Sequence, residues 1–204
     1  MKTITISREF GSGGREIGRR LADALKIPCY DHEIIAMVAE RHGLDSSYIE
    51  SVTEQDIRIF YPTTIAHRLI APHPAAQQRI QIMISEHEII KQLAKQKDCV
   101  IVGRCADVIL QEMNPMNIFV YADRASKLRR CQERSNDNEH FSEKDLVRMM
   151  KQIDKERAAY RSMFTEKDWG DKKFYHLCIN TSGREIKRLI PAVAEYVKQW
   201  YDER

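Results

Sequence analysis

A cluster of glycines between a strand pattern and a helix pattern constrains the fold more than any other feature. Four of the eight glycines lie within the first 18 residues, at Gly11, Gly13, Gly14 and Gly18. They follow a β-branched run at residues 3–7 and precede a helical pattern that includes Ile17 and Leu21. Glycines there can aim consecutive N–H groups at one point, where the helix N-terminus adds positive charge. Residues 7–16 are therefore a candidate phosphate-binding loop, and a tight turn that only packs the helix on the sheet is the alternative.

Further short apolar runs recur along the chain and are typical of buried parallel strands. They lie at residues 99–103, 117–121 and 176–180, with a weaker run at 28–30. Longer stretches with helical spacing separate them, including one that carries Ile80, Ile84, Ile89, Ile90 and Leu93. This alternation predicts an α/β fold in which helices cover both faces of a parallel sheet.

The length of 204 residues suits one domain, residues 1–204, with room for a small lid. Three prolines between residues 61 and 74 break any regular element, which predicts a helical insertion at about residues 44–76. A polar stretch after Arg134 predicts a lid at about residues 129–145. Ser142, with Asp145 three residues on, is expected to cap the helix that follows.

Charge and composition exclude several classes of protein. The 33 Lys and Arg residues against 30 Asp and Glu give a net charge of +3, without the basic stripe of a nucleic-acid-binding protein. No apolar run approaches the length of a membrane span, so we expect a cytoplasmic protein with no membrane or nucleic-acid partner. The five cysteines are scattered and show no metal-binding spacing, which indicates reduced thiols that mostly fill the core.

The loop departs from the regular phosphate-loop pattern G-x-x-x-x-G-K-[ST]. Without a gap, Arg8 takes the place of the first glycine, Gly14 that of the lysine and Arg15 that of the hydroxyl residue. Sliding the loop by one residue gives Arg15 the lysine's role and puts Glu16 at the metal-binding hydroxyl, but it spoils the glycine spacing. A guanidinium can bind phosphate bidentately, so Arg8 and Arg15 are candidates to replace the missing ammonium. The Mg²⁺ ligands stay unassigned.

The loop at residues 6–17 resembles the signature of the cytidylate kinase-like family. Residues 27–31 look like the second strand of that family, and residues 99–107 are similar to its third-strand motif ending in Gly-Arg. The C-terminal third also matches, through residues 153–160, 169–171 and 179–182. The resemblance covers nearly the whole chain and is weakest from about residue 44 to 76.

The resemblance implies a phosphate-loop kinase fold with a five-stranded parallel sheet and a small helical lid. It implies ATP with Mg²⁺ as phosphoryl donor and a nucleoside monophosphate, CMP or dCMP, as acceptor. The residues that would hold the ATP phosphates are those of the loop: Gly11, Ser12, Gly13, Gly14, Arg15 and Glu16.

Four further arginines are candidate site residues. By resemblance, Arg104 contacts the acceptor nucleotide, and an ion pair with a nearby carboxylate is its alternative. Arg130 and Arg134 lie four residues apart on one helical face beside the polar stretch. By resemblance to kinases with an arginine-rich lid they close over the ATP phosphates, and a solvated charged helix is the alternative. The fourth is Arg157, which by resemblance binds the acceptor together with Asp154, three residues before it.

Asp154 and Arg157 can form an ion pair along a helix, and by resemblance they hold the phosphate and base edge of the acceptor. Met150 stands where related kinases carry another arginine, so part of the acceptor grip is missing or comes from elsewhere. Asp31 either accepts hydrogen bonds from the acceptor or caps the helix that follows it. Two other functions stay open: a kinase with a different small-molecule acceptor, and a nucleotide-binding sensor without catalysis. The sequence does not indicate an oligomeric state.

Overall fold

The computed structural model of the protein describes residues 1–50, 52, 74–134 and 142–203. Five strands form one sheet in the order β2-β3-β1-β4-β5, and every neighbouring pair is parallel. All the predicted strands are confirmed, including the weak one at the sheet edge. Their bounds are Thr3–Arg8 (β1), Cys29–Tyr30 (β2), Cys99–Val102 (β3), Met116–Tyr121 (β4) and Leu177–Asn180 (β5).

Helices connect the strands and cover both faces of the sheet, as predicted. None of those in the described residues has the length and apolar character that crossing a membrane requires. They are α1 (Gly14–Leu25), α2 (His32–His42), α3 (Ser46–Glu50), α4 (Pro74–Gln96), α5 (Ala106–Ile109), α6 (Arg124–Arg134), α7 (Glu143–Ser162) and α8 (Ile186–Asp202). Short 3₁₀ helices occupy Gln111–Met113 and Lys172–Phe174.

Two apolar clusters hold the three layers together. On one face α1 and α8 pack against the central strands, and Ile17 and Leu21 of α1 are fully buried there, as their spacing predicts. On the other face α2 and α4 pack against β3. Because both faces are covered by helices, the sheet is buried and its free carboxyl edge is left to form a site.

The predicted apolar stripe of α4 is buried in the second half of the helix, as expected, but not in the first half. Ile80 and Ile84 are 41% and 45% exposed, whereas Ile82, Ile89 and Ile90 are buried. Two overlapping apolar stripes run along this helix, and periodicity alone does not say which one faces the core. On the buried face the helix also carries an acidic residue, Glu86, which is itself buried.

The structure tests the predicted caps and only part of the domain organisation. Ser142 caps α7 by accepting a hydrogen bond from the Asp145 N–H, as predicted. The helical insertion at about residues 44–76 contains α3 and the start of α4, but residues 53–73 lie outside the described residues. Residues 135–141 of the expected lid also lie outside them, so the lid stays a prediction.

The cysteines are less deeply buried than expected for core residues. No disulfide joins any of the five cysteines, and only Cys99 is fully buried, while the other four are half-buried. Desolvation by burial raises the pKa of Cys29 to about 12 and that of Cys99 to about 11. A protonated thiol reacts slowly, which agrees with the expected reduced state. Cys99 lies in an apolar cluster, and Cys29, Cys105 and Cys131 pack against such clusters, so the assignment to core filling holds for every cysteine but Cys178.

Candidate active site

The glycine-rich segment forms a closed loop between β1 and α1. Gly11 and Gly13 have φ values of 73° and 85°, in the left-handed region that glycine adopts without strain. The loop is tightened by Ser12, whose hydroxyl donates to the carbonyl oxygen of Glu9 at 2.8 Å. At Gly14 a Cβ atom would overlap the Cβ atom of Arg8. Close packing of the loop on the end of β1 is therefore possible only with glycine at that position.

The N-terminus of α1 carries N–H groups that have no acceptor in the part of the chain the structure describes. Gly13 is the N-cap residue and provides no side-chain cap. Neither its N–H nor those of Gly14 and Arg15 meet an acceptor among the described residues. Such groups, with the helix dipole behind them, are suited to bind an anion. Glu16 pairs through its carboxylate with Arg20, so any role in nucleotide binding would be left to its backbone.

Asp31 brings the two loop arginines together at the carboxyl edge of the sheet. Its carboxylate lies 2.5 Å from Nε of Arg15 and 4.0 Å from Nη2 of Arg8. The guanidinium of Arg8 is buried over Gly103, at the end of β3, where a Cβ atom would overlap it. Arg15 is 43% exposed and open to solvent. Asp31 makes no side-chain cap to α2, so the predicted capping alternative is wrong.

Arg130 contacts the carbonyl groups of the loop. Its guanidinium is buried and donates to the carbonyl oxygens of Gly11 and Ser12 at 3.4 Å each, and to that of Thr181 at 2.6 Å. Thr181 in turn donates from its hydroxyl to the Ser12 carbonyl oxygen at 2.7 Å. In this arrangement Arg130 shapes the loop, and its contact with ATP phosphates stays a prediction. Arg134 ends α6, and its side chain lies outside the described residues.

Asp154 and Arg157 form the predicted ion pair, with Nη1 and Oδ1 separated by 3.3 Å. Both also hold the loop: Asp154 accepts from the Phe10 N–H at 2.7 Å, and Arg157 donates to the Arg8 carbonyl oxygen at 3.1 Å. Helix α7 is therefore fixed to the loop through two side chains that sequence reasoning assigned to the acceptor.

Lys127 of α6 is a cation beside the loop that sequence reasoning missed. Its Nζ lies 2.9 Å from Oε2 of Glu9 and 4.0 Å from Oδ2 of Asp154. The loop thus lies among alternating charges supplied by β1, α6 and α7. No sequence signal connects this lysine with the loop, because the contact depends on how α6 packs.

Burial raises the pKa of the Asp154 carboxyl above its ordinary value of 3.8, against the opposing effects of the Phe10 N–H and Arg157. The folded protein therefore binds this proton more tightly than the unfolded chain does. Stability from this group is lost as the pH rises from about 3.8 through the raised pKa. We expect wild type to lose stability relative to Asp154→Asn over that window, measured by urea denaturation at several pH values. A relative gain over the same window would contradict this prediction.

A cavity of about 50 Å³ opens to solvent beside Arg8 at the carboxyl edge of the sheet. Arg104 lines it, as its position after β3 predicts. The Arg104 side chain is also buried in an ion pair, in which its Nη1 lies 3.3 Å from Oε1 of Glu86. A place at the acceptor and an ion pair are the two alternatives predicted for Arg104. In the structure Arg104 both lines the pocket and forms the ion pair. The other lining residues are Ser7, Gly103, Cys105, Glu156, Arg157, Tyr160, Arg161 and Trp169.

Another buried ion pair, between Arg161 and Asp107, forms part of the same wall. Nη1 of Arg161 contacts Oδ2 of Asp107, and its Nε donates to the Lys167 carbonyl oxygen at 3.1 Å. Burial lowers the pKa of Arg161, but the charge of Asp107 and the hydrogen bond to it act together in the opposite direction. The net result is a pKa above the ordinary value for arginine. Sequence reasoning missed this pair because Arg161 lies outside the family-like motifs and is separated from Asp107 by 54 residues.

Among its described residues the chain offers N–H groups suited to an anion but no recognisable metal centre. No group of three or more His, Cys, Asp or Glu side chains there is placed to hold a metal ion. The Ser12 hydroxyl donates to a carbonyl oxygen of the loop, and Asp31 is engaged with two arginines. The residues present therefore fit the phosphates of a nucleotide better than a metal ion bound by side chains alone.

Solved structures with the same architecture were found. An uncharacterized protein from Eubacterium ventriosum is 27% identical, with 97% of this chain and 99% of that chain covered and a TM-score of 0.68. Shikimate kinase from Bacteroides thetaiotaomicron is 12% identical, with 98% of each chain covered and a TM-score of 0.56. Shikimate kinase from Aquifex aeolicus is 16% identical, with 96% of each chain covered and a TM-score of 0.51. The two kinases show the shared fold.

Sequence comparison identifies the family that the loop, the motif after β3 and the three C-terminal segments indicate. No curated protein matches the chain. The model of the cytidylate kinase-like family, however, matches residues 3–183, which include the loop, the end of β3 and the Asp154–Arg157 pair. The chain therefore belongs to the cytidylate kinase-like family.

Proposed function

We propose that the protein transfers the γ-phosphoryl group of ATP to a nucleoside monophosphate, CMP or dCMP. The observation that carries the proposal is the loop itself. Its N–H groups, which meet no acceptor among the described residues, lie beside Arg8 and Arg15, next to a pocket rich in guanidinium groups. Family membership supports the choice of a cytidine nucleotide as acceptor.

The donor side needs positive charge and fixed N–H groups, because phosphoryl transfer involves little covalent participation by protein groups. The N–H groups of Gly13, Gly14 and Arg15 would bind phosphate oxygens. Arg15 would add charge from its partly exposed position, and Asp31 holds it near Arg8 before a nucleotide arrives. Mg²⁺ bound with ATP would neutralise further phosphate charge.

The acceptor side needs a cationic pocket that excludes water. Arg8, Arg104 and Arg157 line the pocket and suit an acceptor that carries a phosphate dianion. Trp169 lines it as well and packs edge-on against Phe119, with ring centroids 5.3 Å apart. That packing fixes one wall of the pocket.

A coupled ADP-release assay over a panel of nucleoside monophosphates, with ATP and Mg²⁺, tests the proposal. We expect turnover with CMP or dCMP that exceeds turnover with the purine nucleotides. Absence of turnover with every monophosphate at high enzyme concentration would overturn the assignment. Phosphorylation of a nucleoside or small alcohol, with the monophosphates inert, would select the second candidate function. That candidate is favoured by Met150, which is buried where an acceptor-binding arginine is expected.

Arg15→Ala is expected to weaken ATP binding about tenfold or more, because a charge-assisted phosphate contact is lost. The dissociation constant can be measured by calorimetry in the absence of an acceptor. Arg20→Ala is the matched control, since Arg20 lies on the same helix and pairs only with Glu16 among the described ion pairs. Equal affinities of the two variants would show that Arg15 does not contact the phosphates and would assign that role to Arg8.

A further inference from the structure

A buried acidic side chain, Glu86, contacts two residues that line the proposed acceptor pocket. The Tyr160 hydroxyl donates to its Oε2 at 2.7 Å, and Nη1 of Arg104 donates to its Oε1 at 3.3 Å. The side chains of Glu86 and Arg104 are only 1% and 3% exposed. A carboxylate so deeply buried is costly unless it is paired and hydrogen-bonded. Both oxygens of Glu86 meet that condition.

The backbone at Arg104 is held in an uncommon conformation. Gly103, Arg104 and Cys105 have φ values of 78°, 57° and 51°, so three consecutive residues are left-handed. For a residue with a side chain this conformation is strained, and it persists only where surrounding contacts fix it. The ion pair with Glu86 is one such contact, and it fixes the direction of the Arg104 side chain.

Helix α4 gives Glu86 a rigid support. Ile82, Ile89 and Ile90 surround it along the helix and are buried in the apolar cluster against β3. The carboxylate therefore cannot follow Arg104 if the arginine turns away. Burial and the neighbouring Glu86 carboxylate raise the pKa of Tyr160 well above its ordinary value, so the phenol stays protonated and donates.

We infer that Glu86 is a positioning residue for the acceptor: it holds the Arg104 guanidinium in the orientation that meets the acceptor's anionic group. This inference rests on the proposed function. It adds a residue that sequence motifs do not indicate, on a helix remote in sequence from the loop. Glu86 acts through Arg104, so its effect belongs to acceptor recognition and not to ATP binding.

Glu86→Gln tests the inference, because it keeps the shape of the side chain and removes its charge. We expect the KM for the nucleoside monophosphate to rise about tenfold or more, while the KM for ATP changes less than about twofold. Glu88→Gln is the matched control, two residues along α4, where Glu88 is exposed and pairs with Arg41 at 3.0 Å. Equal acceptor KM values for the two variants would overturn the inference.

A double-mutant cycle shows whether Glu86 acts through Arg104. In an Arg104→Gln background, Glu86→Gln is expected to change the acceptor KM by less than about twofold, since the group to be positioned is already absent. A full additional loss in that background would contradict the inference. If Glu86→Gln does not fold, Glu86→Asp is examined in its place, because it retains the charge on a shorter side chain. It is expected to give a smaller rise in acceptor KM.

A spectroscopic signature separates this inference from the proposed function. Arginine Nε–H signals in ¹H–¹⁵N spectra report the environment of each guanidinium without any turnover. The Arg104 signal is expected to shift or broaden in Glu86→Gln and to stay in place in Glu88→Gln. An Arg104 signal unchanged in Glu86→Gln would overturn the inference even in an active enzyme. A wild type that phosphorylates no monophosphate, together with an Arg104 signal that shifts in Glu86→Gln, would overturn the proposed function and leave only the positioning of Arg104 by Glu86.

Discussion

Gly14→Ala is expected to abolish measurable ATP binding and to lower the free energy of unfolding by about 1–3 kcal/mol. The new Cβ atom would overlap the Cβ atom of Arg8, which is too close to the backbone to move aside. Helix α1 would have to shift relative to β1, and the N–H groups at its start would no longer converge. Alanine is otherwise the better helix residue, so any loss arises from this contact. Calorimetry with ATP and urea denaturation measure the two effects.

Gly43→Ala is the matched control for this substitution. A Cβ atom there meets nothing within 4 Å, although φ is 62°, so the cost is backbone strain of about 1 kcal/mol. ATP binding should be unaffected, because Gly43 follows α2 and is remote from the loop. Retained ATP affinity in Gly14→Ala would show that the tight contact between the loop and β1 is not needed for phosphate binding.

Arg8→Met is expected to lower kcat by about 10²–10³, which is the loss typical of removing one group that stabilises charge in the transition state. Arginines that stabilise a transferring phosphoryl group can contribute more than this. Methionine fills a similar apolar volume, and Arg15 remains beside Asp31 at 2.5 Å. The loss should appear in kcat more than in the KM for ATP, because the buried guanidinium lies at the sheet edge between loop and acceptor pocket. Steady-state ADP release measures both constants.

Gly103→Ala is an independent way to move the same guanidinium. The new Cβ atom would occupy the position of the Arg8 guanidinium, so the charge is displaced without being removed. We expect a loss of kcat in the same direction as in Arg8→Met. Arg148→Met is the control, since Arg148 is 74% exposed and pairs with Asp145. An Arg8→Met enzyme as active as this control would remove Arg8 from the proposed mechanism.

The strands, the layers and the position of the loop could be predicted because they depend on local patterns. Buried parallel strands are short apolar runs, and the glycine cluster lies where a strand passes into a helix. The same applies to the Ser142 cap and to the ion pair between Asp154 and Arg157, three residues apart on one helix. In each case the interacting groups are neighbours along the chain.

The contacts that shape the site could not be predicted because they join residues distant in sequence. Arg130 contacts loop carbonyl groups 118 and 119 residues away, and Glu86 pairs with Arg104 only because α4 turns one of its two apolar stripes inward. The sequence predicts that Asp31 either binds the acceptor or caps a helix, whereas its partners in the structure are Arg8 and Arg15. The charges of these residues are evident from the sequence. Their partners depend on how α4, α6 and α7 pack.

A ¹H–¹⁵N amide titration with an unreactive ATP analogue most directly tests whether the lysine-less loop binds the triphosphate. The backbone signals of Gly13, Gly14 and Arg15 are expected to shift together and to saturate with one dissociation constant, because their N–H groups gain phosphate acceptors. The Gly43 amide serves as an internal reference and should stay in place. Signals of the three loop residues that do not move at saturating analogue would contradict phosphate binding by the loop, and the enzyme assignment would fall with it.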